Sequence, residues 1–309
     1  MTNTITSIPR LPKREINGHK GTYGSALLVA GSLGMSGAAA LAGIAALKSG
    51  VGLARILVPE PIQSTVASFR PEYTVMPLPA DKSGRISRKG LPRILSNASA
   101  VSAVGIGPGL GSSHGLSQIV LKLFSSLPLP AVFDADALNG LSSQECFSPN
   151  TKENDYEARP CRQLAGARIL TPHPGEFYRM SGERISSDPK ERRQVAVRFV
   201  HLLHRTYQTK FPIILVLKGA GTVVTDGHNV YVNETGNPGM GTGGAGDVLT
   251  GIITALIAQK MEPFDAAVLG VALHGLAGDL AAEAKGEISM TAGDIIEFLP
   301  EAFKRYKSF

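Results

Sequence analysis

The order in which short apolar runs and helical stretches alternate limits this chain to one class of fold. Residues 25–30 (SALLVA) form a compact apolar run, Gly31 and Ser32 interrupt it, an Ala- and Leu-rich helical stretch follows over about 37–48, and residues 53–58 are apolar again. Strand, turn, helix and strand in this order make a right-handed βαβ unit of a parallel sheet. Apolar runs at 101–106, 131–133 and 169–170 repeat the theme, with helices expected near 88–97 and 116–125 and a long, charged amphipathic helix over 188–207. The grammar then changes. Residues 213–217, 221–225 and 229–232 are three close apolar runs with Asp226-Gly227 as a turn signal, so part of the sheet is antiparallel. Helices are expected again over about 244–259, 263–283 and 291–304. The sum is an α/β three-layer sandwich of about eight strands with helices on both faces. It reads as one domain over residues 1–309, with a polar extended arm at 1–18 and a polar surface insertion at 142–163; no linker or internal repeat interrupts it.

Hydrophobic residues make up 43% of the 309 and charged residues 18%, a balance that buries a sizeable core and excludes a disordered chain. The nearest approaches to a membrane span, residues 38–47 and 248–258, fall short of the roughly 18–20 apolar residues a bilayer requires, so no membrane association is expected. The first 25 residues carry Pro9, Pro12 and scattered charges where a signal peptide has its apolar core. Cys146 and Cys161 lack C-x-x-C spacing, which argues against a disulfide framework or zinc site and for a reducing cytoplasm. Thirty-one basic against 25 acidic side chains give a net charge of +6, which favours small phosphorylated ligands. The basic runs at 190–193 and 304–307 read as solvated helix faces, and without Trp there is little base-stacking equipment, so no nucleic-acid partner is expected.

The most informative stretch is GNPGMGTGGAGD, residues 236–247, which opens directly into the apolar run VLTGIITALIA. Glycines at a helix start leave amides pointing outward, and with the helix dipole they form an anion site whose expected guest is phosphate. Asp247 is an odd neighbour for phosphate alone. It is either a helix cap, for which Asp is well suited, or the group that takes a proton from whatever meets the phosphate. Gly241-x-Gly243-x-x-Gly246 formally matches a dinucleotide fingerprint, but no strand ends immediately before it and no acid closes a second strand after it. A Walker A sequence is absent.

Three clusters accompany this loop. Residues 106–111 (IGPGLG) end a strand and lead into a helix, which places a backbone-lined rim at the carboxyl edge of the sheet. Residues 171–176 (TPHPGE) again follow a strand, and two prolines stiffen the loop so that His173 and Glu176 face one cleft; the alternative is an ordinary loop histidine. Residues 218–222 (KGAGT) join two strands and suit the sugar or phosphates of a nucleotide, or simply form a tight hairpin with an exposed lysine.

Taken together and in order, HKGTYGSALLVAGS (19–32), SGAAALAG (36–43), GIGPGLG (105–111), FDADALN (133–139), LTPHPGEF (170–177), LKGAGT (217–222) and GNPGMGTGGAGDVLTG (236–251) resemble the ADP- or ATP-dependent NAD(P)H-hydrate dehydratase family, a branch of the ribokinase-like fold. The resemblance runs from about residue 19 to about residue 300 and corresponds to the dehydratase part of proteins that often also carry an epimerase domain; too few residues precede His19 here to hold one. It implies repair of damaged cofactor, in which NADH or NADPH hydrated on its nicotinamide ring (the S form) is dehydrated while ADP, or ATP, gives up a phosphoryl group. By the same resemblance, Asp247 is the catalytic base, and Ala39, Gly109, His173 and Asp247 bind the hydrated dinucleotide. Lys218, Gly219, Ala220, Gly221 and Thr222, with Gly243, Gly244 and Gly246, bind the adenine nucleotide, and Glu176 reaches Mg²⁺ through water. ADP is the expected donor and a homotetramer the expected assembly, as in bacterial members.

The related kinases carry Asn-x-x-Glu where this chain has His173-x-x-Glu176, and that histidine separates a dehydratase from the main rival, a ribokinase-like kinase of a vitamin alcohol. A second rival is a catalytically silent nucleotide sensor. Departures are small: Gly241 and Ala245 stand where Ala and Thr are frequent, and the segment after Leu141 is longer than expected. No role is assigned to residues 19–24 beyond a contact between subunits.

Overall fold

A computed structural model describes residues 2–143 and 163–306 of the chain. Among these, ten strands form one sheet: β1 (Asn3–Ile5), β2 (Ser25–Val29), β3 (Leu53–Pro59), β4 (Thr74–Leu78), β5 (Ala103–Ile106), β6 (Ala131–Phe133), β7 (Arg168–Leu170), β8 (Ile213–Leu217), β9 (Val223–Thr225) and β10 (Asn229–Val232). Their order is β1-β10-β9-β8-β7-β6-β5-β2-β3-β4. Only β9 is reversed, pairing antiparallel with β8 and β10, while every other pairing is parallel. The expected mostly parallel sheet with an antiparallel part is therefore found, and the chain reverses direction across the sheet between β2 and β5.

The apolar runs follow from burial on both sides. Successive strand residues point to opposite faces, so Ala26, Leu28 and Ile56 enter one core together with α1 (Ser36–Lys48), α8 (Ala245–Ala258), α9 (Pro263–Lys285) and α10 (Ala292–Tyr306). Leu27, Val29 and Leu57 enter the other, against α3 (Leu91–Ala98), α4 (His114–Ser126), α5 (Ala135–Ser142) and α7 (Pro189–Tyr207). The short α2 (Gln63–Phe69) follows β3, and α6 (Pro174–Ser181) follows β7. Arg168 of β7 is fully buried and lends its guanidinium to the carbonyls of Phe124, Leu127, Leu129 and Ala167 at 2.5–3.1 Å, so a charge in the core is matched by oxygens, three of them at the end of α4 and in the turn after it.

Several elements differ from expectation. The arm at 1–18 contributes β1, whose three residues, Asn3 and Thr4 exposed and Ile5 half-buried, pair parallel with β10 at the sheet edge. β4 was absent from the sequence reading because TVMPL contains Pro77, which only an edge strand tolerates. Residues 174–181 form a helix instead of a stiff loop. The longest apolar helix was also underestimated: α9 is long and apolar enough to cross a membrane by length and composition, but 72% of its apolar window is buried in the fold, as in a core helix that is apolar all round. Of the expected insertion at 142–163, all but residues 142, 143 and 163 lies outside the described residues, as do Cys146 and Cys161.

Candidate active site

The glycine-rich segment ahead of α8 is held from both ends. Asp279 on α9 accepts hydrogen bonds from the Gly236 amide (2.8 Å) and the Asn237 side chain (3.0 Å), and Asn237 in turn accepts from the Gly239 amide. Gly244 is the N-cap of α8 with φ of +92°, where a Cβ would lie 2.5 Å from Leu41, so both its conformation and its space require glycine. No side chain caps α8. Asp247 is therefore not the helix cap, because the chain enters the helix through a left-handed glycine and the carboxyl group lies on the third helical residue. The Ala245 amide donates to the Thr242 carbonyl, and the Gly246 and Asp247 amides make no backbone hydrogen bond among the described residues.

Around this helix start, the ends of β6, β7 and β8 bring together an acidic cluster and one ammonium. Asp134, 1% exposed, accepts from Lys218 Nζ through Oδ1 at 2.6 Å and from Thr250 Oγ1 through Oδ2 at 2.7 Å. Lys218 Nζ also lies 3.7 Å from Glu176 Oε2. A Cβ on Gly246 would sit 3.3 Å from Lys218 Nζ, which shows how closely the ammonium approaches the first turn of α8. Burial, reinforced by Asp134, pushes the Asp247 carboxyl up to about 7, and its carboxylate makes no hydrogen bond among the described residues. Burial likewise raises Glu176, with Lys218 opposing. Burial alone would lower Lys218, but Asp134 and Glu176 outweigh it and hold the ammonium charged.

His173 and Glu176 form a capping box at the start of α6. His173 Nδ1 accepts from the amides of Gly175 (3.0 Å) and Glu176 (3.3 Å), and Glu176 Oε2 accepts from the His173 amide at 2.8 Å. Burial and the Lys218 charge lower the histidine pKa, and with Nδ1 accepting, the neutral ring carries its proton on Nε2, 3.4 Å from Glu176 Oε1.

A pocket of about 990 Å³ opens over these groups, and Asp134, His173, Glu176, Lys218, Gly219, Ala220, Gly221, Thr222, Gly246 and Asp247 all line it. Gly219 and Gly221 have φ of +136° and +65°, and Thr222 Oγ1 donates to the Gly219 carbonyl, so residues 218–222 turn tightly with their backbone toward the pocket. Gly243 and Gly244 belong to the loop behind it. Ala39 and Gly109 lie apart, at the β2–β5 reversal. Ala39 is fully buried, and Gly109, at φ of +61°, packs against Met35 and Ala38 at the start of α1 while its carbonyl accepts from Ser32 Oγ at 2.8 Å. Both residues are buried.

The sequence reading gave no role to Asp134, Thr250 or His274. His274 on α9 lines the pocket with Nε2 at 2.9 Å from the Ala245 carbonyl, and burial drives its pKa down to about 4, so it is a neutral donor. A single histidine in the middle of a long, mainly apolar helix was the available signal.

The comparisons agree with this geometry. Residues 26–301 match a family model described as NAD(P)H-hydrate dehydratase. The chain is 42% identical over 293 residues to the bifunctional NAD(P)H-hydrate repair enzyme Nnr of Moorella thermoacetica, covering 94% of itself and 51% of that protein. It thus spans about half the length of such bifunctional relatives. It is 32% identical over 299 residues to the ADP-dependent (S)-NAD(P)H-hydrate dehydratase of Bacillus subtilis, covering 96% of itself and 95% of the relative. The crystal structure of the ADP/ATP-dependent NAD(P)H-hydrate dehydratase from Bacillus subtilis, co-crystallised with ATP/Mg²⁺, superposes with a TM-score of 0.74 at 31% identity over 96% of this chain and 94% of that one. A family match across nearly the whole chain, together with a glycine-started helix facing Lys218 and a basic Asp247, leaves one assignment: the chain belongs to the NAD(P)H-hydrate dehydratase family.

Proposed function

We propose that this chain removes water from the S form of hydrated NADH or NADPH, driven by phosphoryl transfer from ADP. The observation that carries the reading is Asp247: a carboxylate with no hydrogen bond of its own and a pKa lifted to about 7, beside a helix start and an ammonium suited to phosphate. Hydroxide leaves poorly and phosphate leaves well. Asp247 takes the proton of the ring hydroxyl, whose oxygen bonds to the β-phosphorus of ADP as the bond to AMP breaks. The ring nitrogen lone pair then expels phosphate, and loss of a proton from the neighbouring ring carbon restores the dihydronicotinamide. The balance is hydrated dinucleotide plus ADP giving NAD(P)H, AMP and phosphate.

In this reading, residues 218–222 hold the nucleotide backbone, while Lys218 and the first-turn amides of α8, Gly246 among them, stabilise charge on the phosphoryl group in transit. Glu176 and Asp247 offer carboxylate oxygens to a divalent cation arriving with phosphates, while both oxygens of Asp134 are already taken by Lys218 and Thr250. Mg²⁺ bound there would be held by Glu176 through water and would neutralise phosphate charge. His173, oriented by its capping role, meets the dinucleotide; Ala39 and Gly109, which the resemblance also gives to it, are buried at the β2–β5 reversal. A cytoplasmic location and a homotetramer complete the proposal.

The kinase alternative shares the glycine loop but is not favoured by the relatives. With purified chain, hydrated NADH, Mg²⁺ and ADP or ATP, the reading expects dihydronicotinamide absorbance to return with equal amounts of phosphate. A flat signal with accumulation of a phosphorylated alcohol would overturn it.

A further inference from the structure

We propose that Asp134 is a positioning residue of this site, clamping the Lys218 ammonium against the first turn of α8 with Thr250 as its second anchor. An Asp directly before a helix is usually an N-cap, and Asp134 immediately precedes α5. Yet its side chain caps nothing there. Both carboxylate oxygens are instead committed across the sheet, Oδ1 to Lys218 at the end of β8 (2.6 Å) and Oδ2 to Thr250 in α8 (2.7 Å). Thr250 is fully buried and lies one helical turn beyond Gly246, so one side chain ties β6, β8 and α8 into a single unit. The backbone around it is arranged to allow this. Ala135 adopts a left-handed φ of +48°, and Gly107 has no side chain because a Cβ would strike the Asp134 carbonyl.

The arrangement matters because lysine is a point charge on a flexible stem, and holding it in one place loses rotamer entropy. Of its three N–H donors, Asp134 takes one at short range and Glu176 draws a second at 3.7 Å. The ammonium is left poised against Gly246, where the proposed function has the phosphoryl group bind; the inference rests on that reading. Without Asp134, Lys218 keeps no direct hydrogen bond and is held only by the charges of Glu176, 3.7 Å away, and Asp247, so a phosphoryl group meets a mobile ammonium instead of a fixed one.

The test is a double-mutant cycle on the full chain with Asp134→Asn, Lys218→Met and the pair, read as Mg-ADP affinity by equilibrium titration and as turnover of hydrated NADH. Asp134→Asn is expected to weaken ADP binding about tenfold and lower kcat about 100-fold, and the double variant to be no worse than Lys218→Met by more than about threefold. Wild-type kcat in Asp134→Asn, or losses that multiply in the double variant, would overturn the proposal. Should Asp134→Asn fail to fold, Thr250→Val and Thr250→Ser supply the answer: the valine is expected to lower kcat about tenfold and the serine, which keeps the hydroxyl, to restore it. Equal turnover of these two variants would refute the anchor. If the wild-type chain binds ADP but never turns over hydrated NADH, the functional reading fails while the cycle in ADP affinity still decides the clamp.

Discussion

Replacing Asp247 by Asn should make the protein more stable and nearly inactive, and both effects follow from the same burial. The ordinary carboxyl titrates at 3.8 and this one at about 7, a rise of about three units. At about 1.4 kcal/mol per unit, the folded state forgoes at most about 4 kcal/mol by ionising it. The pocket admits water, so about half that, ~2 kcal/mol, is expected in practice. The direction is fixed by which state binds the proton more tightly. The folded state does, so its advantage is complete below pH about 4 and is lost as pH rises to about 7. An isosteric, uncharged Asn escapes that loss. Thermal unfolding without ligands near pH 8 should therefore show Asp247→Asn melting about 4 °C or more above wild type, a gap that shrinks as pH falls toward about 4. Turnover should drop by about 10²–10⁴-fold, the usual contribution of a general base. Equal stability of variant and wild type near pH 8, or a gain that does not vary with pH, would refute the reasoning.

Turnover of the wild-type chain should fall with an apparent pKa near 7 as pH is lowered, because protonated Asp247 cannot accept the hydroxyl proton; a limb near 4 would remove it as the base. His173→Asn keeps a good helix cap for α6, so stability and ADP affinity should hold within about twofold while hydrated dinucleotide binds at least tenfold more weakly, as titration with each ligand will reveal. Arg168→Met takes the donor from the carbonyls of Phe124, Leu127 and Leu129, while Ala167 keeps the Ala131 amide, and should destabilise the fold by about 3 kcal/mol, measured by chemical denaturation; a loss under about 1 kcal/mol would mean water replaces the guanidinium.

The parts of this molecule that local patterns encode were legible in the sequence. The unit from β2 through α1 to β3 follows from apolar runs and glycine punctuation, and the reversed β9 from the Asp226-Gly227 turn. β1 was not legible because Asn3-Thr4-Ile5 buries little side chain and carries little apolar signal, and β4 because Pro77 interrupts its apolar run. The capping box of α6 was written in His173-Pro-Gly-Glu176, but flanking prolines read equally well as a loop. Within the site, Asp247, Lys218 and the glycines stand in recognisable local motifs. Asp134 and Thr250 do not, since their partnership spans 116 residues and that of Asp134 with Lys218 spans 84. Such pairings exist only once the sheet is assembled.

The central claim is that Asp247 stands between a phosphoryl donor at the start of α8 and the hydroxyl of a hydrated nicotinamide. A crystal structure with hydrated NADH and a non-transferable ADP analogue tests it most directly. The account expects an Asp247 carboxylate oxygen within about 3 Å of the ring hydroxyl, with the terminal phosphate against Lys218 and the Gly246 amide. A nicotinamide bound elsewhere, or Asp247 turned away from both ligands, would contradict it.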